Sequence, residues 1–575
     1  MTLPYKLIEQ RSREAVSAVL SDADLSAVRV RPCPDPKFGD YQSSALISLA
    51  KTRKLSPRQL AAEVLAKLDV SELCENPEIA GAGFLNFRLK PAALAEALRS
   101  AASSEHLFFE TAAQLRTVVV DFSSPNVAKP MHVGHIRSTI LGDALARVLR
   151  LLGHRVITDN HLGDWGTQFG KLIVGWKHHL DQAALRKEPI AEMERLYQLV
   201  NALTETEHAV LEQARQELVK LQRGDQENLC IWRDMIALSQ AQFDTIYRRL
   251  GLKFDYTLGE SFYQPRLQPL VAELLDQGIA RPSEGALAVF FEELPQLKEN
   301  PALIQKSDGA YNYTTTDLAT LAYRMETWHP DEVVYVTDGR QQLHFQQLFA
   351  IFRRWRPESR VKLTHVWFGS ILGEDGKPFK TRAGETIRLS DLLDEAQDRA
   401  LRVVSEKNPE LQASQQREIA RAVGLGAIKY ADLLPNRQSD YVFSWDKMLA
   451  LNGNTAPYLQ YAYARIRSIF RKAEGSEVGD PRSEISLGAA EEIALGKHLL
   501  NFGLVLEGVV EEYRPNFLCN YLYELAGNFT RFYENCPVLK SDPAQRASRL
   551  LLCDLTGRVL KRGLDVLGIE TLEQM

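Results

Sequence analysis

Residues 117–153 read TVVVDFSSPNVAKPMHVGHIRSTILGDALARVLRLLG. Val118, Val119 and Val120 form a short β-branched run of the kind that fills a buried parallel strand. A loop follows, from Phe122 to about Lys129. Pro130 can open a helix, because a first-turn proline gives up an N–H that has no intrahelical partner. Ile136, Ile140, Leu141, Ala144, Val148 and Leu152 then recur at helical spacing, and Gly153 ends the run. Strand, loop and helix in that order make the first half of a nucleotide-binding βαβ unit.

The loop and the first helical turn carry the chemistry. His132 and His135 stand three residues apart, so both project from one face of the helix start. Gly134 between them has no side chain, which lets a flat ligand approach the backbone. A helix N-terminus adds partial positive charge and free N–H groups, a setting suited to phosphate. Asn126 and Lys129 lie just upstream. Two imidazoles, a lysine and a helix dipole together suit charge developing on a phosphate oxygen. A histidine pair at this spacing, taken alone, fits a surface or capping pair equally well. The longer pattern P-N-x-x-K-x-x-H-x-G-H behind an apolar strand is far more specific.

HVGH resembles the HIGH signature of class I aminoacyl-tRNA synthetases. SSPNVAKPMHVGHIRSTILGD, followed by NHLGDWGTQFGKL, closely resembles the bacterial type of arginyl-tRNA synthetase, and segments similar to that family run along most of the chain. The resemblance implies an arginine–tRNA ligase. ATP, with its Mg2+, and L-arginine would give arginyl-adenylate and pyrophosphate. The arginyl group would then pass to the terminal adenosine of tRNA(Arg), with adenylate formation requiring bound tRNA. It also implies a monomer in the cytoplasm. Two rivals stand beside this reading. One is a nucleotidylyltransferase, which shares an HxGH helix start and uses no tRNA. The other is a catalytically dead relative that binds RNA.

Composition sets wide limits. At 575 residues the chain is too long for one core and is expected to form about three domains. Hydrophobic content of 45% and charged content of 25% are ordinary for a globular protein. No apolar run of about 18 residues is evident, and the N-terminal stretch lacks an apolar signal core, so no membrane association is expected. Six scattered cysteines (Cys33, Cys74, Cys230, Cys519, Cys536 and Cys553) form no CxxC pair, which argues for reduced thiols and against a structural zinc. The net charge of −5 does not advertise nucleic-acid binding, although a large RNA needs only local basic tracks.

The fold class expected is multidomain α/β: a Rossmann-like parallel-sheet domain at 111–450, an α+β domain at 1–110 and an all-helical bundle at 451–575. In the first, Leu7–Leu20 and Pro57–Leu68 read as helices, the latter capped by Ser56. Residues 38–51, FGDYQSSALISLAK, read as a turn into a helix. GAGFLNFRLK, from Gly81, reads as an exposed edge strand. The resemblance assigns this domain to the tRNA elbow, with Phe84 and Asn86 meeting the RNA.

In the central domain, Val156–Thr158 reads as a second strand, and about 172–250 as an inserted helical segment. Val333–Val336 reads as another buried strand. Tyr313–Thr316 looks like a strand, with Asp317 starting a helix as a possible N-cap. A fixed carboxylate there could instead meet a planar guanidinium with two parallel hydrogen bonds. By resemblance, Tyr313 and Asp317 hold the substrate side chain, joined by Asp121, Asn126 and Gln341. Several rigid acceptors would reject lysine, whose ammonium leaves acceptors unpaired. The glycine-rich LGEDGKPFKTRAGE, from Leu372, carries Lys377, Lys380 and Arg382, a basic loop able to close on a triphosphate. Its position matches the family's KMSKS loop, with KPFKT in place of that wording, and Lys377 and Lys380 are the expected ATP contacts.

From about 451 the pattern turns helical. Tyr458, Tyr461 and Arg465 share one helix face, a surface that could stack splayed bases. Such a stripe also fits core packing. The resemblance places Tyr458, Tyr461, Tyr533 and Met575 at the anticodon. This tyrosine face argues against a nucleotidylyltransferase, and the intact HVGH, Asn126, Lys129 and lysine loop argue against a dead relative.

Overall fold

The structure, a computed structural model, describes residues 3–379, 387–473 and 485–575. Lys380, Arg382 and Gly384 of the basic loop lie outside the described residues. The chain opens with four short strands, β1 (Arg31–Pro32), β2 (Tyr41–Ser43), β3 (Glu78–Ala80) and β4 (Phe84–Phe87). They form an antiparallel sheet in the order β1-β2-β4-β3. This corrects two expectations. Tyr41–Ser43 is a strand ahead of the helix Ala45–Arg53. The strand carrying Phe84 and Asn86 is interior, because residues on both its sides supply ladder partners. Ser56 caps the helix Pro57–Leu65 as expected, its hydroxyl accepting from the Gln59 N–H.

The central sheet contains β5 (Thr117–Asp121), β6 (Arg155–Leu162) and β7 (Tyr256–Gly259). A small antiparallel sheet follows, of β8 (Arg281–Ser283), β9 (Ala286–Val289) and β10 (Ala302–Gln305). The chain then returns through β11 (Glu332–Tyr335) and β12 (Lys362–His365), giving the central order β12-β11-β5-β6-β7, with every neighbouring pair parallel. From β5 the chain moves outward one way to β6 and β7, then crosses back to β11 on the other side. Such a switch point, at the carboxyl ends of the strands, is where doubly wound sheets bind ligands. A two-residue parallel pair, β13 (Ile371–Leu372) with β14 (Tyr441–Val442), closes the domain.

Period-two alternation distributes the valines. Val118 and Val120 pack with Ile136, Ile140 and Ala144 of the helix Val133–Leu151. Val119 faces a second core with Leu318, Leu321 and Leu348 on the opposite side of the sheet. Between β6 and β7 the inserted segment comprises helices from Gln168–His179 to Gln226–Arg249.

Two helix starts differ from expectation. Pro130 lies ahead of the helix, whose N-cap is His132. Tyr313–Thr316 is no strand: it forms the first turn of the helix Tyr313–Trp328, with Asn312 at the N-cap position. Asp317 therefore sits inside that helix and does not cap it. Threonines 314–316 imitate a strand in composition, but the Thr315 hydroxyl is satisfied by the Ile304 carbonyl at 2.6 Å, so the β-branched run docks on β10.

From Ala456 the described residues are mostly helical, with the helices Ala456–Lys472, Asn516–Asn535 and Pro543–Val566 the longest among them. Ala490–Glu512 has the length and mean hydropathy, 1.4, of a membrane-crossing helix, so the expectation of no such run needs correcting. The stretch folds as two helices, Ala490–Leu499 and Phe502–Glu512, and buries Leu495, Leu499, Phe502, Leu506 and Val509 in the bundle.

The register of the central sheet creates an electrostatic problem. Asp121 on β5 lies directly opposite Asp159 on β6. Like charges so placed repel. Arg324, from the helix Tyr313–Trp328, resolves this: its Nη2 donates to Asp121 Oδ2 at 2.6 Å and to Asp159 Oδ2 at 2.7 Å. Arg324 has 0% of its surface exposed, so these charges interact in a poorly screened interior. Burial pushes the Asp159 carboxyl above its usual range, against the pull of Arg324. Replacing Arg324 with Met strands the carboxylates and is expected to cost about 3–5 kcal/mol in urea unfolding. Arg324→Lys should recover only part of that, because one ammonium cannot reproduce the planar fork. An unchanged unfolding midpoint in Arg324→Met would contradict this account.

Candidate active site

The loop after β5 is bent into an uncommon shape. Ser123, Ser124 and Ala128 all have positive φ (74°, 48° and 62°), each costing on the order of 1–3 kcal/mol in a non-glycine residue. Surrounding groups hold it. The Ser123 N–H donates to Ser138 Oγ at 2.8 Å, the Ser124 N–H to Asn160 Oδ1 at 3.0 Å and the Ala128 N–H to Ser239 Oγ at 3.0 Å. Asn126 is bridged to Gly163, where a Cβ would sit 2.2 Å from Asn126 Oδ1, so only glycine leaves room for this asparagine. Lys129 extends over the Tyr197 ring, 5.6 Å from its centroid.

His132 and His135 come together as the sequence suggests, with ring centroids 4.0 Å apart. The Gly134 N–H donates to His132 Nδ1 at 3.1 Å, and the His132 N–H donates to His135 Nδ1 at 3.1 Å. Each Nδ1 is thus an acceptor, which assigns the proton of each neutral ring to Nε2. Burial lowers the His132 imidazole, and burial with the neighbouring His132 brings His135 down to about 3. At neutral pH the pair therefore offers two uncharged Nε2–H donors. Gly134 serves the His132 ring: a Cβ there would stand 2.8 Å from Cε1 and 2.9 Å from Nδ1.

The chain on the far side of the basic loop reaches this pair. Lys377 lies exposed in a tight hairpin, where the Gly373 N–H donates to the Lys377 carbonyl at 2.7 Å. Beyond the loop, Arg388 pairs antiparallel with His132, and the Val133 N–H donates to the Ile387 carbonyl at 3.0 Å. Sequence reasoning placed the two motifs in one domain; the structure places the chain leaving the basic loop beside the histidines.

Asp317 gathers a second cluster of polar groups. Asp317 Oδ2 is 2.5 Å from His344 Nε2, and its Oδ1 is 3.9 Å from His161 Nε2. Tyr313 is exposed and packs edge-on against His344, with centroids 4.8 Å apart. Glu260, which the sequence reading missed, is pushed up to about 8 by burial and by the nearby Asp317 and Asp164 carboxylates. The remaining expected residues divide. Gln341 is exposed at the end of a 3-10 turn, whereas the neighbouring Gln342 spends its amide on the Gly339 carbonyl at 3.0 Å. Asp121 is committed to Arg324 and to the Ser124 hydroxyl at 3.2 Å. Glu260 opens a 3-10 turn, His161 lies on β6 and His344 in the helix Gln342–Trp355, so no shared local pattern marks them in the sequence.

The expected RNA-facing residues also divide. Phe84 is half-buried, but Asn86 is 4% exposed and its Oδ1 has no partner among the described residues. In the helical bundle, Tyr458 packs edge-on against Tyr523 at 5.7 Å, and the Arg465 guanidinium lies 4.4 Å from the Tyr533 centroid. Tyr461 is exposed and lines a cavity of about 160 Å3 together with Met575.

Three family models match the chain: tRNA synthetases class I (R), catalytic domain, at residues 97–445; the DALR anticodon binding domain at 459–575; and the arginyl tRNA synthetase N terminal domain at 6–89. Among curated relatives, the arginine–tRNA ligases of Shigella boydii and Escherichia coli O157:H7 are 46% and 47% identical, each over 99% of both chains. Among solved structures, the arginyl-tRNA synthetase of Plasmodium falciparum superposes with a TM-score of 0.84 at 30% identity over 100% of both chains. That of Thermus thermophilus gives 0.85 at 27% identity, over 99% of this chain and 100% of that one.

Two predictions follow from the histidine pair. Gly134→Ala should lower kcat by about 10–100-fold by displacing His132, while leaving stability unchanged or raised, since alanine favours a helix by up to about 1 kcal/mol over glycine. Equal losses of activity and stability would count against it. His135 binds its proton near 3 when folded and near the ordinary 6.5 when unfolded, so the unfolded chain binds more protons between those values. Its contribution to stability is complete above pH 6.5 and is lost as pH falls toward 3. The urea midpoint of a His135→Gln protein should therefore decline less than that of the natural chain between pH 7 and pH 5.

Proposed function

The chain belongs to the class I arginyl-tRNA synthetase family, ligases that form aminoacyl-tRNA, and from that premise we propose how its residues divide the work. The observation that carries the assignment is the pair of neutral imidazoles, their tautomers set by backbone N–H groups, at the helix N-terminus on the switch point.

The arginine carboxylate attacks the α-phosphorus of ATP, the bond to the bridging oxygen breaks, and pyrophosphate leaves. Negative charge builds on phosphate oxygens in this step. The Nε2–H groups of His132 and His135 meet that charge without needing to change protonation. Gly134 leaves the backbone open beside them, and Lys129, Lys377 and Lys380 supply cations. Magnesium arrives with ATP as part of the substrate. Among the described residues no group of three or more His, Cys, Asp and Glu side chains could hold a metal. No covalent enzyme intermediate is required, so catalysis is positioning plus electrostatics. In the second step the terminal ribose hydroxyl of tRNA attacks the arginyl carbonyl and AMP leaves.

Arginine lies with its guanidinium on Asp317 and Glu260, beside Tyr313, with Gln341 and Asn126 as further contacts. Glu260, protonated in part near neutral pH before substrate arrives, is drawn to its charged form by the incoming cation. Asp121 acts chiefly through Arg324, holding the strand end beneath the substrate. A lysine ammonium would leave several of these acceptors unpaired. For tRNA, Tyr458, Tyr461, Tyr533 and Met575 form the anticodon face, and Phe84 the elbow contact. Asn86, buried on the interior strand β4, reaches RNA only if its face of the sheet is uncovered.

The test is ATP–pyrophosphate exchange, with arginine and cognate tRNA each present or omitted. Exchange is expected only with both. Exchange with arginine alone would remove the tRNA requirement, and no exchange in folded protein would overturn the reading. His132→Ala and His135→Ala should each lower the rate about 10^2–10^3-fold.

A further inference from the structure

Asp317 is proposed above to receive the substrate guanidinium, but a carboxylate on a helix turn rotates freely unless something holds its plane. His344 does so from the neighbouring helix, Gln342–Trp355. Its Nε2 lies 2.5 Å from Asp317 Oδ2, and its side chain is only 12% exposed. The same ring receives the edge of Tyr313 at 4.8 Å. One imidazole thus touches both side chains proposed to hold the substrate, which stand one helical turn apart on Tyr313–Trp328. Its own position is fixed by the helix and by the adjoining Phe345, which is 5% exposed and packs tilted against His365 with centroids 4.4 Å apart. His344 Nδ1 is buried and without a partner among the described residues. A neutral ring with its proton on Nε2 accounts for both nitrogens: the proton is given to Asp317, and Nδ1 is left bare. The other carboxylate oxygen faces His161, 3.9 Å away, too far for a hydrogen bond. Asp317 is therefore clamped through one oxygen, while its second stays uncommitted.

We propose that His344 is the positioning residue of the guanidinium site, orienting Asp317 and Tyr313 together so that a planar fork finds its acceptors already aligned. The inference rests on the arginine-site reading given under the proposed function. A neutral donor serves this role better than a cation would. An imidazolium beside Asp317 would neutralise the charge that the substrate needs, whereas an N–H from a neutral ring orients the carboxylate and leaves its charge in place.

Kinetic constants for arginine, ATP and tRNA in His344→Ala, His344→Gln and Asp317→Asn, with calorimetric titration of arginine, test this. His344→Ala should raise the KM for arginine and weaken its binding about 10–100-fold, the range for losing a hydrogen bond to a charged group. The KM for ATP should stay within about twofold. His344→Gln, which can return an N–H to about the same place, should regain most of the loss. An arginine KM within twofold of the natural enzyme in folded His344→Ala would overturn the proposal, as would equal losses for arginine and ATP that Gln does not rescue. If His344→Ala does not fold, His344→Gln against His344→Leu decides the same question. Asp317→Asn separates the two levels. Unchanged arginine binding there would sink the arginine-site reading itself, and weakened binding in Asp317→Asn with none in His344→Ala would sink only the positioning role.

Discussion

Arg324 holds together what the sheet register drives apart. Parallel pairing of β5 with β6 sets Asp121 directly beside Asp159 at the carboxyl edge, two like charges in contact register. The guanidinium that joins them comes from the helix bearing Tyr313 and Asp317. One buried group therefore fixes the distance between the strand end, from which the loop Phe122–Lys129 springs, and the helix that bears Tyr313 and Asp317. A buried ion cluster of this kind adds little net stability over a well-packed apolar one. Its value is geometric: the two halves of the site cannot slide past one another without unpairing charge.

A second buried pair holds the other side. Arg137, on the helix that begins at His132, meets Asp432 at 3.0 Å and donates to the Gly369 carbonyl at 2.7 Å. Both side chains are 1% exposed. Between these anchors lies the strained loop Phe122–Lys129, with its three left-handed non-glycine residues. Strain of this sort persists only when neighbours over-determine it, and here the neighbours are far apart in the chain: Ser138, Asn160 and Ser239. The inserted helices contribute Ser239, and also Tyr247, whose hydroxyl is 2.9 Å from Ser123 Oγ. The inserted helical segment thus shapes the loop.

The electrostatics of the site separate by position. Around His132 and His135 the groups are neutral donors, aided by a helix N-terminus and by lysines on the flanking loops. Around Asp317 and Glu260 they are acceptors. Under the proposed assignment the phosphates of one substrate meet the donors and the guanidinium of the other meets the acceptors. A net charge of −5 conceals this arrangement, because whole-chain charge averages over surfaces that never meet a ligand.

Legibility followed range. The βαβ opening, the inserted helices, the helical C-terminal region and the His132–His135 pair could all be read, because each is encoded by periods of two or three to four residues and by caps within one segment. Where composition imitated another structure the reading failed, as with the threonines after Tyr313 that form a helix and the interior strand that carries Asn86. The family resemblance supplied Tyr313 and Asp317, but not what holds them. Arg324 reaches Asp121 across 203 residues of chain, and His344 reaches Asp317 across 27. No local period records such contacts, because nothing in either segment constrains the other until the sheet register and the helix packing bring them together. The strand, the loop and the histidine pair were therefore written in one contiguous stretch, while the cluster around Asp317, the tautomers and the buried charge pairs came into being only with the tertiary fold.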